Sequence, residues 1–291
     1  MWKPLALALL ASGCASLSHH TTTVPFDFVK HQIIVSATVN GTGPYSFLVD
    51  TGATPSVIDK KVAAAAGISV DPSRSTPVEG VGSEDVKAHA IVIPRLRVGD
   101  VEYRDMEGLV ADVGRLSSRL GHPLHGILGD NFFAGKVVTI DYKAKQLRIS
   151  NSSRDTNDGI ELPFVTAPDD IMPIIRDFEI NGHKIAVSLD TGSSLGLELY
   201  KPGVAEAGLT ELAAKGRKDT VTGASGEAEV GRAEIDSVRI GGLPVEHVGL
   251  TFSKRDDYGA LRMGNVGNAL LSHFIVTFDY IRHRVRFVLS S

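Results

Sequence analysis

A mainly β fold with only short helices, built as two lobes related by a pseudo-twofold axis, is what this sequence predicts. Three observations carry that expectation: the chain repeats itself, its apolar residues alternate, and glycine is abundant, with 30 among 291 residues. Residues 126–149 (GILGDNFFAGKVVTIDYKAKQLRI) align without a gap to residues 264–287 (GNVGNALLSHFIVTFDYIRHRVRF) at an offset of 138. Gly126 meets Gly264, Gly129 meets Gly267, Thr139 meets Thr277, and Asp141-Tyr142 meets Asp279-Tyr280. Upstream, Val39-Asn40-Gly41 matches Ile180-Asn181-Gly182, and Phe47 to Thr54 (FLVDTGAT) matches Val187 to Ser194 (VSLDTGSS). Between these, Leu96 to Asp100 (LRVGD) meets Val238 to Gly242 (VRIGG). An ordered set of matches in each half is the mark of an internal duplication.

In chain order, the first 24 residues read as a targeting segment. Lys3 precedes a short apolar run, Pro4 to Ala11, far short of the roughly 20 residues a membrane-spanning helix needs. The one cysteine, Cys14, follows in Leu10-Ala11-Ser12-Gly13-Cys14, which looks like the lipobox of bacterial lipoproteins. That resemblance implies acylation of Cys14, export across the inner membrane and a lipid anchor in the periplasm. Ala15, not aspartate, follows the cysteine, which by the same analogy points to the outer membrane. Residues 15–24 (ASLSHHTTTV) are small and polar and read as a tether. A first lobe is expected over 25–150, a polar turn-forming linker over 151–159 (NSSRDTNDG), and a second lobe over 160–291.

Within the lobes, Phe274, Val276, Phe278 and Tyr280 alternate, and so do Val285, Phe287 and Leu289, the period of half-buried strands. Asp279–His283 and Asp141–Lys145 are the hairpin turns this implies. One short helix is expected over Asp59–Ala66, closed by Gly67, with a counterpart over Gly203–Ala207, closed by Gly208.

Composition narrows the function. Hydrophobic residues make up 43% and charged residues 22%, as in a folded domain, not a disordered chain. A net charge of −4 without a basic run gives no footprint for nucleic acid. A single cysteine excludes an intrachain disulfide. Neither a G-x-S-x-G elbow nor an H-E-x-x-H zinc motif is present, and the histidines are scattered.

What remains is Asp-Thr-Gly, twice: Asp50-Thr51-Gly52 and Asp190-Thr191-Gly192, each at the end of an apolar strand. Glycine lets the loop turn sharply and lets backbone approach the carboxylate, and the threonine hydroxyl can reach across to the partner loop. Two such loops at matching places would meet at the pseudo-twofold axis. The pair resembles the two loops of aspartic proteases, and the chain is identified as similar to their retropepsin-like, single-chain bacterial members over nearly all of 25–290. Ile127-Leu128-Gly129 is like that family's hydrophobic-hydrophobic-Gly segment, and Asn265-Val266-Gly267 is its second copy, with Asn265 departing from the pattern. Ser56 to Asp59, onward to Ala66-Gly67-Ile68, also looks like these proteins.

The resemblance implies an aspartic endopeptidase with its active site between the lobes. Asp50 and Asp190 would be catalytic, supported by Thr51, Gly52, Thr191, Gly192 and Ser193. Two glycine-rich flaps would cover a bound peptide, around Gly80 and Gly82 and around Gly223 and Gly226. A monomer acting on peptide or protein substrates is implied, with no metal and no cofactor. Ser193, where the first loop has Ala53, is expected to donate a hydrogen bond to Asp190 and favour its charged form, leaving the shared proton on Asp50. The acidic Glu79, Glu84 and Asp85 near the first flap read as a solvated face. The competing reading is a lipoprotein that keeps the fold and binds peptides without cleaving them; a two-carboxylate glycosidase is a remoter one.

Overall fold

The repeat in the sequence reappears as two sets of strands with the same neighbours. The structure is a computed structural model of the chain that describes residues 21–77, 87–167, 170–223, 226–255 and 261–290. The first half comprises β1 (Thr21–Val29), β2 (Gln32–Val39), β3 (Thr42–Val49), β4 (Val57–Asp59), α1 (Lys60–Ala65), β5 (Ser75–Pro77), β6 (Lys87–Val98), β7 (Val101–Ala111), α2 (Gly114–Leu120), β8 (Gly126–Leu128), α3 (Asp130–Phe133), β9 (Val137–Asp141) and β10 (Gln146–Ser150). The second comprises β11 (Ile160–Pro163), β12 (Val165–Ala167), β13 (Asp170–Ile180), β14 (His183–Leu189), β15 (Leu197–Leu199), α4 (Lys201–Glu206), α5 (Thr210–Lys215), β16 (Arg217–Gly223), β17 (Gly226–Ile240), β18 (Leu243–Phe252), β19 (Gly264–Val266), α6 (Asn268–Leu271), β20 (Phe274–Asp279) and β21 (Arg284–Leu289).

In the first lobe the strands run β2-β3-β8-β4-β7-β6-β5; in the second they run β13-β14-β19-β15-β18-β17-β16. The pairing types repeat as well. β3 lies parallel to β8 and β14 parallel to β19, while β4 and β15 lie antiparallel to those same strands. A shared platform, β11-β21-β20-β9-β10-β1, joins the halves. At its centre β9 and β20 are antiparallel, and Thr139 faces its own repeat equivalent, Thr277. Their hydroxyls are 3.0 Å apart. A residue facing its counterpart in an antiparallel pair places the pseudo-twofold axis between them.

Alternation drives the platform. In β20, Phe274, Val276 and Phe278 are all buried, and β21 adds Val285 and Phe287, so the aromatic side chains share one apolar interior. Each such side chain contributes about 1.5–3 kcal/mol on burial. The helices have four to seven residues and serve as corners. α1 is capped by Asp59, whose Oδ1 accepts the Lys61 N–H at 2.8 Å, so that residue precedes the helix instead of opening it.

The tether reading fails at its end. Residues 21–24 belong to β1 and pair with β10, from Thr21↔Ser150 to Val24↔Leu147. The threonines that suggested a polar leash are β-branched strand formers, with Thr22, Val24 and Phe26 buried and Thr21, Thr23 and Pro25 facing out. Residues 151–159 lie between β10 and β11, and no helix among the described residues is long and apolar enough to cross a membrane. Cys14 lies outside the described residues.

Candidate active site

Each aspartate sits where a buried strand runs out. Phe47, Leu48 and Val49 are buried in β3, and Asp50 follows; Val187, Ser188 and Leu189 are buried in β14, and Asp190 follows. The Asp50 N–H donates to the Leu128 carbonyl at 3.0 Å and the Asp190 N–H to the Val266 carbonyl at 2.9 Å. The parallel strand thus fixes each backbone. In each loop the glycine N–H donates to the carboxylate two residues before it, Gly52 to Asp50 Oδ1 and Gly192 to Asp190 Oδ1, both at 2.8 Å.

The threonines lock the loops together reciprocally. Thr51 Oγ1 donates to the Leu189 carbonyl at 2.8 Å and accepts the Thr191 N–H at 3.0 Å. Thr191 Oγ1 donates to the Val49 carbonyl at 2.9 Å and accepts the Thr51 N–H at 3.0 Å. Both residues are almost wholly buried. The crossing depends on the glycines: a Cβ on Gly192 would stand 2.2 Å from the Asp50 carboxyl carbon, and one on Gly52 would stand 3.0 Å from Asp190 Oδ1. Asp50 and Asp190 therefore meet, close enough for each carboxyl group to act on the proton affinity of the other.

Environment separates the two acids. Burial, and then the adjacent Asp190 charge, hold Asp50 well above the usual carboxylate range. Burial also raises Asp190, but the Asn265 amide, the Gly192 N–H and the Arg262 guanidinium pull it back. Of the two environments, that of Asp50 favours the protonated form more.

Comparison with known proteins agrees with this arrangement. An aspartyl protease family profile matches residues 35–132, and a gag-polyprotein aspartyl protease profile matches residues 176–264, one on each lobe. The chain belongs to the retropepsin-like aspartic protease family. Among solved structures it is similar to the aspartic proteinase from Irpex lacteus, with a TM-score of 0.59 over 94% of this chain and 98% of that one. At 16% identity that likeness is one of fold. No curated protein sequence matches the chain.

Against the retropepsin-like pattern, several residues stand out. The Ser193 hydroxyl does not donate to the Asp190 carboxylate; its Oγ accepts the Leu195 N–H at 3.3 Å, a turn closed within its own loop, while the Ser193 N–H donates to the Asp190 backbone carbonyl at 3.2 Å. The asymmetry expected from Ser193 comes instead from Asn265, whose Nδ2 donates to Asp190 Oδ2 at 2.9 Å while its Oδ1 accepts from Ser188 Oγ at 2.5 Å. Arg262 and Glu198, both buried, lie close enough to Asp190 to act on it electrostatically. Burial raises Glu198, opposed by the nearby Ser253 hydroxyl and by the charges of Arg255 and Arg262. Tyr142 reaches across from the first lobe and donates to Asn268 Oδ1 at 2.8 Å, and Asn268 Nδ2 donates to the Thr191 carbonyl at 2.6 Å. Gln32 Nε2 donates to the Gly192 carbonyl at 2.8 Å. Asn265 was visible in the sequence as a departure from the family segment; Glu198, Arg262 and Gln32 carried no such signal.

Of the two expected flaps, Gly80 and Gly82 lie outside the described residues, as do Glu79, Glu84 and Asp85. β5 and β6 pair on either side of them, from Ser75↔His89 to Pro77↔Lys87. In the second hairpin Gly223 faces Gly226 at the end of the β16–β17 ladder. Glu227, next to that tip, lies near enough to Arg119 of α2 in the other lobe for their charges to interact.

Proposed function

We propose that the protein is an aspartic endopeptidase in which Asp50 and Asp190 activate one water molecule against a peptide bond. The observation that carries this reading is the meeting of two Asp-Thr-Gly carboxyls between the lobes, in environments that give them unequal proton affinities. Asp190, as the anion, takes a proton from the water. The water oxygen attacks the peptide carbonyl carbon while Asp50 donates its proton to the carbonyl oxygen. The tetrahedral diol then collapses: one of its hydroxyls returns a proton to Asp50 as the carbonyl re-forms, the C–N bond breaks, and the amine leaves with the proton held by Asp190. No covalent adduct with the enzyme forms.

The two glycine-tipped hairpins act in this scheme as flaps that bend over an extended substrate, which binds by strand-like main-chain hydrogen bonds. The proximity of Glu227 to Arg119 supports a second hairpin that reaches towards the opposite lobe. Peptide-library profiling of a soluble form starting near Thr21 tests the assignment. Cleavage is expected, with a loss of about 10²–10⁴-fold in Asp50→Asn and in Asp190→Asn. Full turnover in either variant would refute it, and tight binding without cleavage by the wild type would favour the non-cleaving reading.

We also propose that residues 1–13 direct export and that Cys14 is lipidated, anchoring the enzyme in the periplasm on the outer membrane. Mass spectrometry of the mature N-terminus checks this: an acylated Cys14 is expected, and Cys14→Ser should move the protein from the membrane to the soluble fraction.

A further inference from the structure

We infer that Asn265 is a positioning residue that holds Asp190 as the anionic member of the pair, so that water is activated from the second lobe and the shared proton stays on Asp50. The inference rests on the protease reading above and names the residue that sets its direction.

The geometry allows one productive amide orientation. Asn265 is 6% exposed, so both of its polar ends need partners. Its Oδ1 takes the Ser188 hydroxyl at 2.5 Å, which turns the NH₂ group towards Asp190 Oδ2 at 2.9 Å. The reverse orientation would set a carbonyl oxygen at that distance from a carboxylate oxygen, an arrangement only a protonated Asp190 would accept. Asp190 then has a donor on each oxygen: Gly192 N–H on Oδ1 and Asn265 on Oδ2. The first lobe has no amide side chain at the matching position. In the repeat, Leu48 stands for Ser188 and Ile127 for Asn265, in the same strand register, Leu48↔Ile127 against Ser188↔Asn265. Neither apolar side chain can donate.

The charged and titratable groups around Asp190 sort into two sets. Arg262 and the neighbouring Asp50 carboxyl favour the anion; the Glu198 charge opposes it; Tyr200 lies within the same field. Arg262 is itself held, its Nη1 donating to Met172 Sδ at 3.3 Å. Arg262 acts through space, whereas Asn265 acts through a directed hydrogen bond, so the two are separable by mutation.

The test is a carboxyl ¹³C NMR titration of Asp190 in an Asp50→Asn background, where the pair contributes a single ionisation. Adding Asn265→Leu is expected to raise the Asp190 midpoint by about one to two pH units. Ser188→Ala, which leaves the amide in place but removes its brace, is expected to raise it by less. It also serves where Asn265→Leu does not fold. In the otherwise native enzyme, the acidic limb of the peptide hydrolysis profile should move up by a matching amount in each variant. A midpoint unmoved by both substitutions overturns the assignment. An NMR shift in a protein that cleaves no peptide supports the role of Asn265 and removes the protease reading, so the two failures are distinct.

Discussion

Beneath Asp50 the first lobe presents Leu48, Ile127, Val57 and Leu109 in a single line across β3, β8, β4 and β7. Beneath Asp190 the same line, across β14, β19, β15 and β18, reads Ser188, Asn265, Glu198 and Thr251. The backbone ladders superimpose in register while the chemistry inverts from wholly apolar to wholly polar. In the first lobe Leu48 and Ile127 pack with Leu120 and Leu124 in a small apolar cluster. In the second, Ser188 and Asn265 bond each other, and Arg232 Nη1 donates to Thr251 Oγ1 at 2.5 Å. Twofold symmetry brings the two acids together, and its local violation decides which of them carries charge. A pair of identical environments would leave that choice to substrate or chance.

The glycines give the sharpest way to break the comparison. A methyl group on Gly192 would land 2.2 Å from the Asp50 carboxyl carbon, whereas on Gly52 its nearest neighbour is the flexible end of Met172 at 2.8 Å. Gly192→Ala should therefore lower kcat/KM for a peptide substrate by about 10²-fold or more, and Gly52→Ala by about tenfold, since small displacements at a reacting centre cost that much. Equal losses would mean that the loops are more alike than their contacts indicate.

The threonine lock, by contrast, is symmetric, and the two substitutions Thr51→Ala and Thr191→Ala should cost the same. Each deletes a buried donor and a buried acceptor, so each should lower the unfolding free energy in urea by about 2–4 kcal/mol. The asymmetry can also be sharpened from the other side. Ile127→Asn places an amide in register opposite Leu48, where it can donate towards Asp50. Lowering the proton affinity of Asp50 means that its proton is lost at lower pH, so the basic limb of the hydrolysis profile should fall by about one pH unit.

The smallest effect expected is on stability. Asp50 has a folded-state proton affinity above the usual 3.8, so folding takes up a proton once the unfolded acid has ionised. Its contribution therefore declines as pH rises from about 4 through the folded value. Asp50→Asn removes that penalty: thermal melts should show a gain of a few degrees at pH 7 that vanishes below pH 4.

Local patterns made much of this legible. Asp-Thr-Gly is three consecutive residues, and its repetition at positions 50 and 190 fixed both the fold class and the place to look. The strands of the platform followed from alternation in Phe274 to Leu289. What stayed hidden depends on register between distant strands. Asn265 could be seen to break a hydrophobic pattern, but its partner was unknowable until β14 and β19 paired with Ser188 opposite it. Ser193 misled because a hydroxyl two residues before a free N–H closes its own turn more cheaply than it reaches a neighbour. Thr21 to Val24 misled because short polar residues look alike in a leash and in an edge-facing strand; only β10 beside them decides.

The pairing of Thr139 with Thr277 has a consequence for any shortened product of this chain. An edge strand whose natural neighbour is its own near-copy, met at the matching position, is already shaped to accept another of itself. Half of this polypeptide, released without its successor, would bare β9 and find in a second such half the same complementary border. Association of truncated fragments would then be programmed by the duplication itself, and a covalent link between the halves keeps that border occupied within one molecule.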